Sequence, residues 1–505
     1  MQLSAMWSEL VVPDDLVFFQ CRDRYLVENP QLAAWAVLDE SELGLLRALA
    51  AGGDLPAAPG QADQSRADRM LATLVLNWLV YLPGQEPKVR SAEPALRMAY
   101  YAITDGCNLR CPYCYASSTR KLPGELEPAE SLDLVDQIAE MGAELLILTG
   151  GEPMLRRDFF DVADHARSRG MLVNCITNGT RIPDAATAQR MADTFDSITV
   201  SLDGGTAEVH EKTRGKGTFA RTAHALGLLN AAGVRPAINH VVSPDNLHAL
   251  DQLMTFLDGI EFGKVRLMNH SGLGRGADDG VHFAWEHHRA VQQFTWSNPV
   301  ARKILTEGPK AVKPCSIRGN CGLGGTEIYI NSLGDVYPCK LVTGPLHKAG
   351  NVRAQRLTEI FASPVLADLR SNNVFEGENL ADCHRCYIRA ACGGGCRAYH
   401  AAESGSIKRN SRHHCRILRH SMITNIWRSS GFTGADLTEH ETAMTVPRLV
   451  RDGSVHPVHD DWRTEPAEPG SPVPAAASPV GLALEDPGPR RSLPLLVNGS
   501  RSPSC

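Results

Sequence analysis

The sequence lacks any stretch that could cross a membrane. Its longest apolar run, Met70 to Leu82, is interrupted by Asn77 and is shorter than the about 20 residues that a spanning helix needs. Residues Met1 to Asp15 also lack the basic segment followed by an apolar core that marks a secretion signal. We therefore expect a cytoplasmic protein with no membrane partner.

The chain also lacks a strong excess of either charge. Its 51 Lys and Arg residues against 57 Asp and Glu residues give a net charge of -6. Such a mild acidity argues against a general nucleic-acid binder. At 505 residues the chain exceeds what one hydrophobic core supports, so two or three domains are expected.

Cysteine, in contrast, is plentiful, with 14 residues in clusters. In a long chain without a secretion signal, such clusters bind metal or perform redox chemistry more often than they form disulfides. Cys107, Cys111 and Cys114 follow a short apolar run, Met98 to Ile103, with the spacing C-x3-C-x2-C. A four-iron cube takes four thiolates, so three would leave one iron open to a small molecule. The alternatives at this stage are a zinc site or structural thiols.

Between residues 93 and 310, apolar runs alternate with helical stretches, a pattern typical of βα units around a parallel sheet. We predict strands over Met98 to Thr104, Leu145 to Thr149, Leu172 to Thr177, Ser197 to Leu202, Pro236 to Val242 and Lys264 to Met268. In such folds, the loops that follow the strands build the functional site.

Polar motifs stand where these predicted strands end. Thr149-Gly150-Gly151-Glu152-Pro153 offers glycines, which let a ligand approach the backbone, and a carboxylate that can accept from an ammonium. The next two strands end at Asn178 and at Ser201-Leu202-Asp203-Gly204, where Asp203 can accept from hydroxyls. An ordinary Asp-Gly turn is the alternative for the last motif.

The cysteine spacing, with Tyr113 before the third thiol, resembles the C-x3-C-x-aromatic-C signature of the radical S-adenosylmethionine (SAM) superfamily. The resemblance implies a partial (β/α)6 barrel whose open iron binds the amino and carboxylate groups of SAM. It further implies that one electron from the cluster splits SAM into methionine and a 5′-deoxyadenosyl radical.

The same resemblance assigns a SAM-binding set. Gly150 to Pro153 resemble the GGEP motif, which binds the SAM amino group, and the Ser and Asp of the SLDG motif lie near the ribose and the carboxylate. Arg214 resembles the arginine that pairs with the SAM carboxylate, and Lys212 is the second choice. The expected cofactor contacts are Tyr113, Gly150, Gly151, Glu152, Pro153, Asn178, Ser201, Asp203 and Arg214.

Eight further cysteines lie between residues 311 and 425, and C-x2-C pairs alone would also suit zinc. They are Cys315, Cys321, Cys339, Cys383, Cys386, Cys392, Cys396 and Cys415. This array resembles the SPASM domain of radical SAM enzymes that modify peptides. The resemblance implies a nearer auxiliary [4Fe-4S] cluster on Cys315, Cys321, Cys339 and Cys396, and a farther one on Cys383, Cys386, Cys392 and Cys415. Electron transfer is the expected role, and pure scaffolding is the alternative.

Residues 1 to 90 predict a small winged-helix-like α+β module. Two short strands and a third at Trp35 to Leu38 precede a helix that Asp39 and Glu42 are placed to cap. The pattern resembles leader-peptide recognition elements, in which an extended peptide adds a strand to a sheet edge. The alternative is a structural cap on the next domain. Residues 430 to 505 are rich in Pro, Ala, Ser and Gly, and we predict a disordered tail there.

Together these features predict a radical SAM oxidoreductase that forms a thioether or carbon–carbon crosslink within a ribosomally made precursor peptide. A low-potential donor such as ferredoxin or flavodoxin would supply electrons. Desaturation or epimerisation of a peptide is possible too. The first alternative is the anaerobic sulfatase-maturating type, but those enzymes carry an Asp general base where this chain has Lys340. The second is a non-catalytic iron–sulfur sensor. No catalytic side chain is assigned.

Overall fold

A computed structural model describes residues 3–53, 61–85, 94–301, 317–375, 380–384, 386–445 and 447–450. These residues form a four-stranded antiparallel sheet and a nine-stranded, mostly parallel sheet. Short 3-10 helices lie at Leu3–Glu9, Pro153–Leu155, Leu247–Ala249, Gly274–Ala277 and Pro345–His347. In this described part, no helix has the length and apolar character needed to span a membrane.

The N-terminal sheet begins with three strands that run back and forth. They are β1 (Val17–Cys21), β2 (Arg24–Asn29) and β3 (Ala34–Asp39). Helix α1 (Glu40–Ala50) follows, and α2 (Gln61–Leu76) comes after it. Asp39 accepts from the backbone N–H of Glu42, whose side chain accepts from the N–H of Asp39, so the predicted helix cap is confirmed.

The central sheet contains the six predicted strands in parallel and in chain order. They are β4 (Met98–Thr104), β5 (Leu145–Gly150), β6 (Leu172–Thr177), β7 (Ser197–Ser201), β8 (Ala237–Val242) and β9 (Lys264–Asn269). The accompanying helices are α3 (Pro128–Glu140), α4 (Phe159–Ser168), α5 (Ala185–Thr194), α6 (Ala207–Arg214), α7 (Thr218–Ala231), α8 (Leu250–Asp258) and α9 (Trp285–Ser297). The predicted α/β fold class is therefore confirmed.

The two faces of the central sheet differ. Leu146, Leu148 and Val173 pack in the main core with helix residues such as Leu134 and Ile138. Alternate residues on the same strands point the other way, because side chains alternate across a strand. Many of these are polar, for example Asn174, Ser201 and Asn239, and they line a cavity enclosed by the curved sheet.

The cysteine-rich region extends this sheet, which the sequence did not predict. Strand β10 (Glu327–Ile330) pairs in parallel with β4, and β11 (Asp335–Tyr337) and β12 (Gly350–Asn351) continue it in antiparallel fashion. The helices of this region are α10 (Leu357–Phe361), α11 (Pro364–Ser371), α12 (Ala381–His384), α13 (Arg389–Cys392), α14 (Arg397–Ser404) and α15 (Arg412–Ser429).

The segment up to residue 450 corrects the predicted tail. Residues 430–450 contain α16 (Gly434–Glu439), α17 (Glu441–Thr445) and β13 (Arg448–Leu449), so the prediction of disorder is wrong for them. The reason is burial of Leu437 and Met444 in a shared core, together with pairing of β13 with β1. The remainder of the predicted tail, 451–505, lies outside the described residues.

The N-terminal sheet is buried on both faces. Phe18 and Val27 pack with Leu43 and Leu46 of α1 on one side. Phe19 and Leu26, on the opposite face, pack with Tyr387 and Trp427 of the cysteine-rich region. With β13 beside β1, the strand order is β13-β1-β2-β3, so β3 forms the other edge of this sheet.

Candidate functional site

A cavity of about 230 Å³ lies inside the curve of the central sheet. Of the residues predicted to bind SAM or the first cluster, those lining it are Cys107, Cys111, Tyr113, Cys114, Gly151, Asn178, Ser201 and Arg214. Glu152 and Asp203 are fully buried beside it. The structure thus brings together motifs that are spread over more than a hundred residues of sequence.

The three-cysteine loop, residues 107–114, is held by the segment that follows β9. The backbone N–H of Arg275 donates to Cys114 O at 3.0 Å, and its Nε donates to Cys111 O at 3.0 Å. Gly274 adopts φ 58°, and a Cβ there would stand 2.4 Å from Tyr115 O. The loop is therefore held by the segment that follows the last barrel strand as well as by the strand that precedes the loop.

Gly150 and Gly151 have a structural reason that the sequence did not reveal. A Cβ on Gly150 would lie 2.2 Å from Thr104 O, and one on Gly151 would lie 2.3 Å from Gly106 O. Gly151 N donates to Thr104 O at 2.8 Å, and Glu152 N donates to Gly106 O at 2.8 Å. These glycines let the motif pack against the strand end that leads into the cysteine loop, in addition to any approach by a ligand.

Glu152 sits at the centre of a hydrogen-bond network. Its carboxylate accepts from Thr177 Oγ1 at 2.8 Å, from Asn178 N at 2.8 Å and from Met154 N at 3.2 Å. Burial raises its pKa, while these hydrogen bonds oppose the rise. Among the described residues, no cation lies within ion-pair distance of it, so an ammonium from a ligand would supply the missing countercharge.

Asn178 links this network to the cysteine loop. Its Nδ2 donates to Asn108 Oδ1 at 3.0 Å, and Asn108 Nδ2 donates to Thr180 Oγ1 at 2.8 Å. Pro153, by contrast, begins a short 3-10 helix and is buried away from the cavity wall. Asn178 therefore positions the loop, and Pro153 shapes the turn.

Asp203 and Arg214 form a buried ion pair, with Arg214 Nε donating to Asp203 Oδ2 at 2.6 Å. The Tyr113 hydroxyl also donates to this carboxylate. Burial works against ionisation of Asp203, but the Arg214 guanidinium prevails and holds its pKa below the usual range. Arg214 thus reaches the cavity wall already paired with Asp203, an ion pair that the sequence analysis did not predict.

The thiols of the loop suit an iron–sulfur cluster. Burial raises the pKa of Cys107 to about 12 and also raises that of Cys111, so neither thiol ionises readily without a metal. The N–H of Leu109 points at Cys107 Sγ from 3.4 Å. Glu152, beside the same cavity, can accept from the ammonium group of a ligand. The residues present therefore fit a cluster with bound SAM.

The C-terminal cysteines fall into two groups. Cys339 packs in one apolar cluster with Cys321, Cys396 and Cys114 of the first loop. Cys383, Cys386, Cys392 and Cys415 line one small cavity. The grouping places Cys396 apart from Cys392, its neighbour in sequence. Cys315 lies outside the described residues.

Protein groups approach the sulfur atoms in both sets. Leu341 N donates to Cys339 Sγ at 3.3 Å, and Asn410 Nδ2 donates to Cys383 Sγ at 3.2 Å. Arg419 lines the four-cysteine cavity and hydrogen-bonds with Cys386. Such contacts tune the potential of a cluster.

Burial raises the pKa of Cys396 and of Cys415 to about 12, so these thiols also need a metal to ionise. Across the described part of the chain, no three His, Cys, Asp or Glu side chains are arranged to hold a single metal ion. Thiolates around a cube bind different irons and stand farther apart than ligands of one ion.

Three basic residues of the cavity wall were missed by the sequence analysis as site residues. Lys264 and Arg266 alternate along β9, and Lys340 lies over the Tyr100 ring at 3.3 Å from its centroid. The alternation on β9 was the available signal, because it puts Lys264 and Arg266 on the same face as cavity-lining Met268.

Comparison with known proteins agrees with this site. Residues 101–257 match the Radical SAM superfamily, and residues 321–387 match SPASM, an iron-sulfur cluster-binding domain. Mycofactocin maturase MftC of Mycobacterium ulcerans (strain Agy99) is 32% identical over 314 residues, which cover 59% of this chain and 82% of that protein. AdoMet-dependent heme synthase of Methanosarcina barkeri is 30% identical over 344 residues, covering 62% and 94%.

A solved structure described as native anSMEcpe with bound AdoMet shares the fold. It has a TM-score of 0.54 at 19% identity, covering 67% of this chain and all of that one (100%).

The cavity and its three-cysteine loop define an iron–sulfur enzyme site at the open side of a parallel barrel. The chain belongs to the radical SAM superfamily and carries a SPASM domain. It is an enzyme whose cofactors are SAM and iron–sulfur clusters.

Proposed function

We propose that this enzyme modifies a ribosomally made precursor peptide by forming an intramolecular thioether or carbon–carbon crosslink at an unactivated side-chain or α carbon. The observation that carries the proposal is the N-terminal sheet, whose outer strand β3 has one strand neighbour among the described residues. An unpaired edge can take up an extended peptide through backbone hydrogen bonds. The name of the mycofactocin maturase relative, a maturase, also supports it.

The proposed ligands are those that the sequence predicted. Cys107, Cys111 and Cys114 hold the SAM-binding cluster, and the C-terminal thiols hold two auxiliary clusters. Glu152 takes the SAM amino group, and Arg214 contributes to binding its carboxylate.

When bound and reduced, SAM supplies a 5′-deoxyadenosyl radical that removes one hydrogen atom from the peptide. The second hydrogen leaves as a proton when the new bond forms. An auxiliary cluster held by the C-terminal thiols would take up the remaining electron, and a ferredoxin or flavodoxin would exchange electrons with the protein. The general base is not assigned. Lys340, which stands where the sulfatase-maturating type is expected to carry an Asp, is buried beside Tyr100 and Glu327.

Anaerobic incubation with SAM, dithionite and the short peptide encoded beside the gene tests this function. We expect mass spectrometry to show the loss of two hydrogen atoms from the peptide. The matched control is Cys111→Ala, which should give no product. An unchanged peptide would contradict the proposal, and so would formation of haem from an iron porphyrin supplied in place of the peptide, since an AdoMet-dependent heme synthase is also a relative.

Peptide docking has its own readout. Hydrogen exchange of the β3 amides should slow when the peptide is added, because a new strand would pair with them. Strand β1 is an internal control, since β2 and β13 already flank it. Equal protection of both strands, or of neither, would argue against docking at the β3 edge.

A further inference from the structure

The wall of the cavity is basic. Arg214, Lys264, Arg266 and Lys340 line it, whereas no Asp or Glu is among the described residues that do so. Two of these cations have an anionic neighbour in the protein. Arg214 is paired with Asp203, and Lys340 interacts with Glu327 as well as with the Tyr100 ring. The other two cations of the cavity wall are Lys264 and Arg266.

Lys264 and Arg266 have no carboxylate partner within 4.0 Å among the residues that the structure describes. Arg266 Nη1 donates to Asn239 Oδ1 at 3.1 Å, which is a neutral acceptor. Both side chains are half-buried. A guanidinium that is partly removed from water and bonded to one amide oxygen has further N–H donors to satisfy.

Electrostatics point the same way. Burial lowers the pKa of Arg266, and burial together with the Arg266 charge lowers that of Lys264. Burial therefore disfavours the charged form of both side chains, and an anion bound between them would offset this free-energy cost.

The position of Lys264 separates it from the expected SAM contacts. It is the first residue of β9, and its partner Ala237 is the first residue of β8. Glu152 and Asp203, in contrast, follow the last residues of β5 and β7, at the end of the barrel that carries the cysteine loop. Lys264 therefore lies at the end of the barrel opposite the expected SAM contacts.

We propose that Lys264 and Arg266 bind a carboxylate of the substrate inside the barrel and so select an acidic peptide segment. This inference rests on the proposed function for the identity of the substrate as a peptide. Met98, Leu145 and Ile147 give the same cavity an apolar surface, so the segment presents an apolar part next to its carboxylate. The carboxylate comes from the peptide's C-terminus or from an Asp or Glu side chain.

Equilibrium dialysis of the full-length, cluster-loaded protein with saturating SAM and no reductant tests the site without any turnover. The radiolabelled probes are N-acetyl-Ala-Ala as the free acid, the same compound as its C-terminal amide, and N-acetyl-Asp α-amide. We expect at least one carboxylate probe to bind about tenfold more tightly than the neutral amide, because hydrogen bonds to a charged group are strong. The tighter of the two acids identifies a terminal or a side-chain carboxylate.

The variants Lys264→Met and Arg266→Gln should each reduce this preference several-fold, and Arg266→Lys should restore part of it. Arg221→Gln is the matched control, since Arg221 is exposed on α7 outside the cavity. Iron content and circular dichroism establish that each variant is folded and loaded.

Three results would overturn the site. They are an equal affinity of all probes for the parent protein, a preference that survives both substitutions, and a loss of SAM affinity in the variants with probe binding intact. The last would mean that Arg266 holds the SAM carboxylate. A clear carboxylate preference with no modification of any peptide would support the site and contradict the proposed function.

Discussion

The first cysteine loop and the far four-cysteine group differ in what surrounds them. Three thiols of the loop face a cavity of about 230 Å³ that is lined by polar and basic groups. Cys383, Cys386, Cys392 and Cys415 close around a small pocket. Its other lining residues are Asp382, Ile388, Arg389, Gly394, Asn410, Leu418 and Arg419. The proposed cluster at the loop would have three thiolate ligands beside a cavity with room for SAM, whereas the proposed far cluster would take all four of its ligands from the protein.

The comparison shows that the number of cysteines and the burial of each site separate the two expected chemical roles. The open site should break SAM, and the closed site should move electrons and hold the fold. The substitutions below separate these roles.

The largest effect should come from Cys111→Ala at the open site. Loss of a direct cluster ligand should reduce 5′-deoxyadenosine formation by more than the about 10–100-fold that follows from disturbing an outer shell. Chromatography of the reduced reaction mixture measures it. Retention of most SAM cleavage would show that the loop does not hold the reactive cluster.

The corresponding change at the closed site, Cys386→Ala, should leave SAM cleavage within about tenfold of the parent, because it lies outside the SAM cavity. It should remove about four irons per chain and lower the melting temperature, since metal binding contributes to folding. Iron analysis and calorimetry check both. If SAM cleavage fell as far as in Cys111→Ala, the division between the sites would be wrong.

Gly151→Ala tests how tightly the open site is packed. The added methyl group would lie 2.3 Å from Gly106 O, so the cysteine loop or the motif must shift. A displacement near 1 Å can cost about 100-fold in rate. The control is Gly227→Ala, which meets nothing within 4 Å on helix α7 and should stabilise the protein by up to about 1 kcal/mol. Equal SAM cleavage in both variants would exclude a packing role for Gly151.

The last prediction concerns stability rather than activity, at Glu28, which is buried on β2 of the N-terminal sheet. Burial raises its pKa from 4.5 to about 8, so the folded protein holds a proton that the unfolded chain loses above pH 4.5. Stability should therefore fall as pH rises from 4.5 to 8 and level off above it, by about 1.4 kcal/mol per pH unit at most.

Glu28→Gln should remove this dependence. The variant should match the parent at pH 5 and exceed its stability at pH 8.5 on the order of 2–4 kcal/mol in urea unfolding. The exposed Glu9→Gln serves as the control. Parallel pH profiles for parent and Glu28→Gln would show that the carboxyl is ionised in the folded state.

Much of this molecule could be predicted from its sequence. The six barrel strands were found because apolar runs end at polar motifs, and Asp39 with Glu42 is a local capping signal. The packing role of Gly151 could not be predicted, because Gly106, the residue that it packs against, lies far away in sequence, in the segment after β4. Lys264 and Arg266 were not recognised as cavity residues, because polar side chains alternate in the same way on a strand that lines a cavity and on one that faces water.

The predicted disorder from residue 430 failed for a related reason. Composition there is poor in apolar residues, but Leu437 and Met444 are buried in a core that the N-terminal sheet shares with α9 and α15. These contacts join residues that are far apart in the described chain, so no local sequence pattern predicts them.

The pairing of β13 with β1 has a consequence for biosynthesis. Val17 pairs with Leu449, so β1, the first of the described strands to be synthesised, gains this neighbour only after β13, the last of them, has been made. Until then β1 has an unpaired edge, and a chain that ended before Arg448 would keep two such edges, on β1 and on β3.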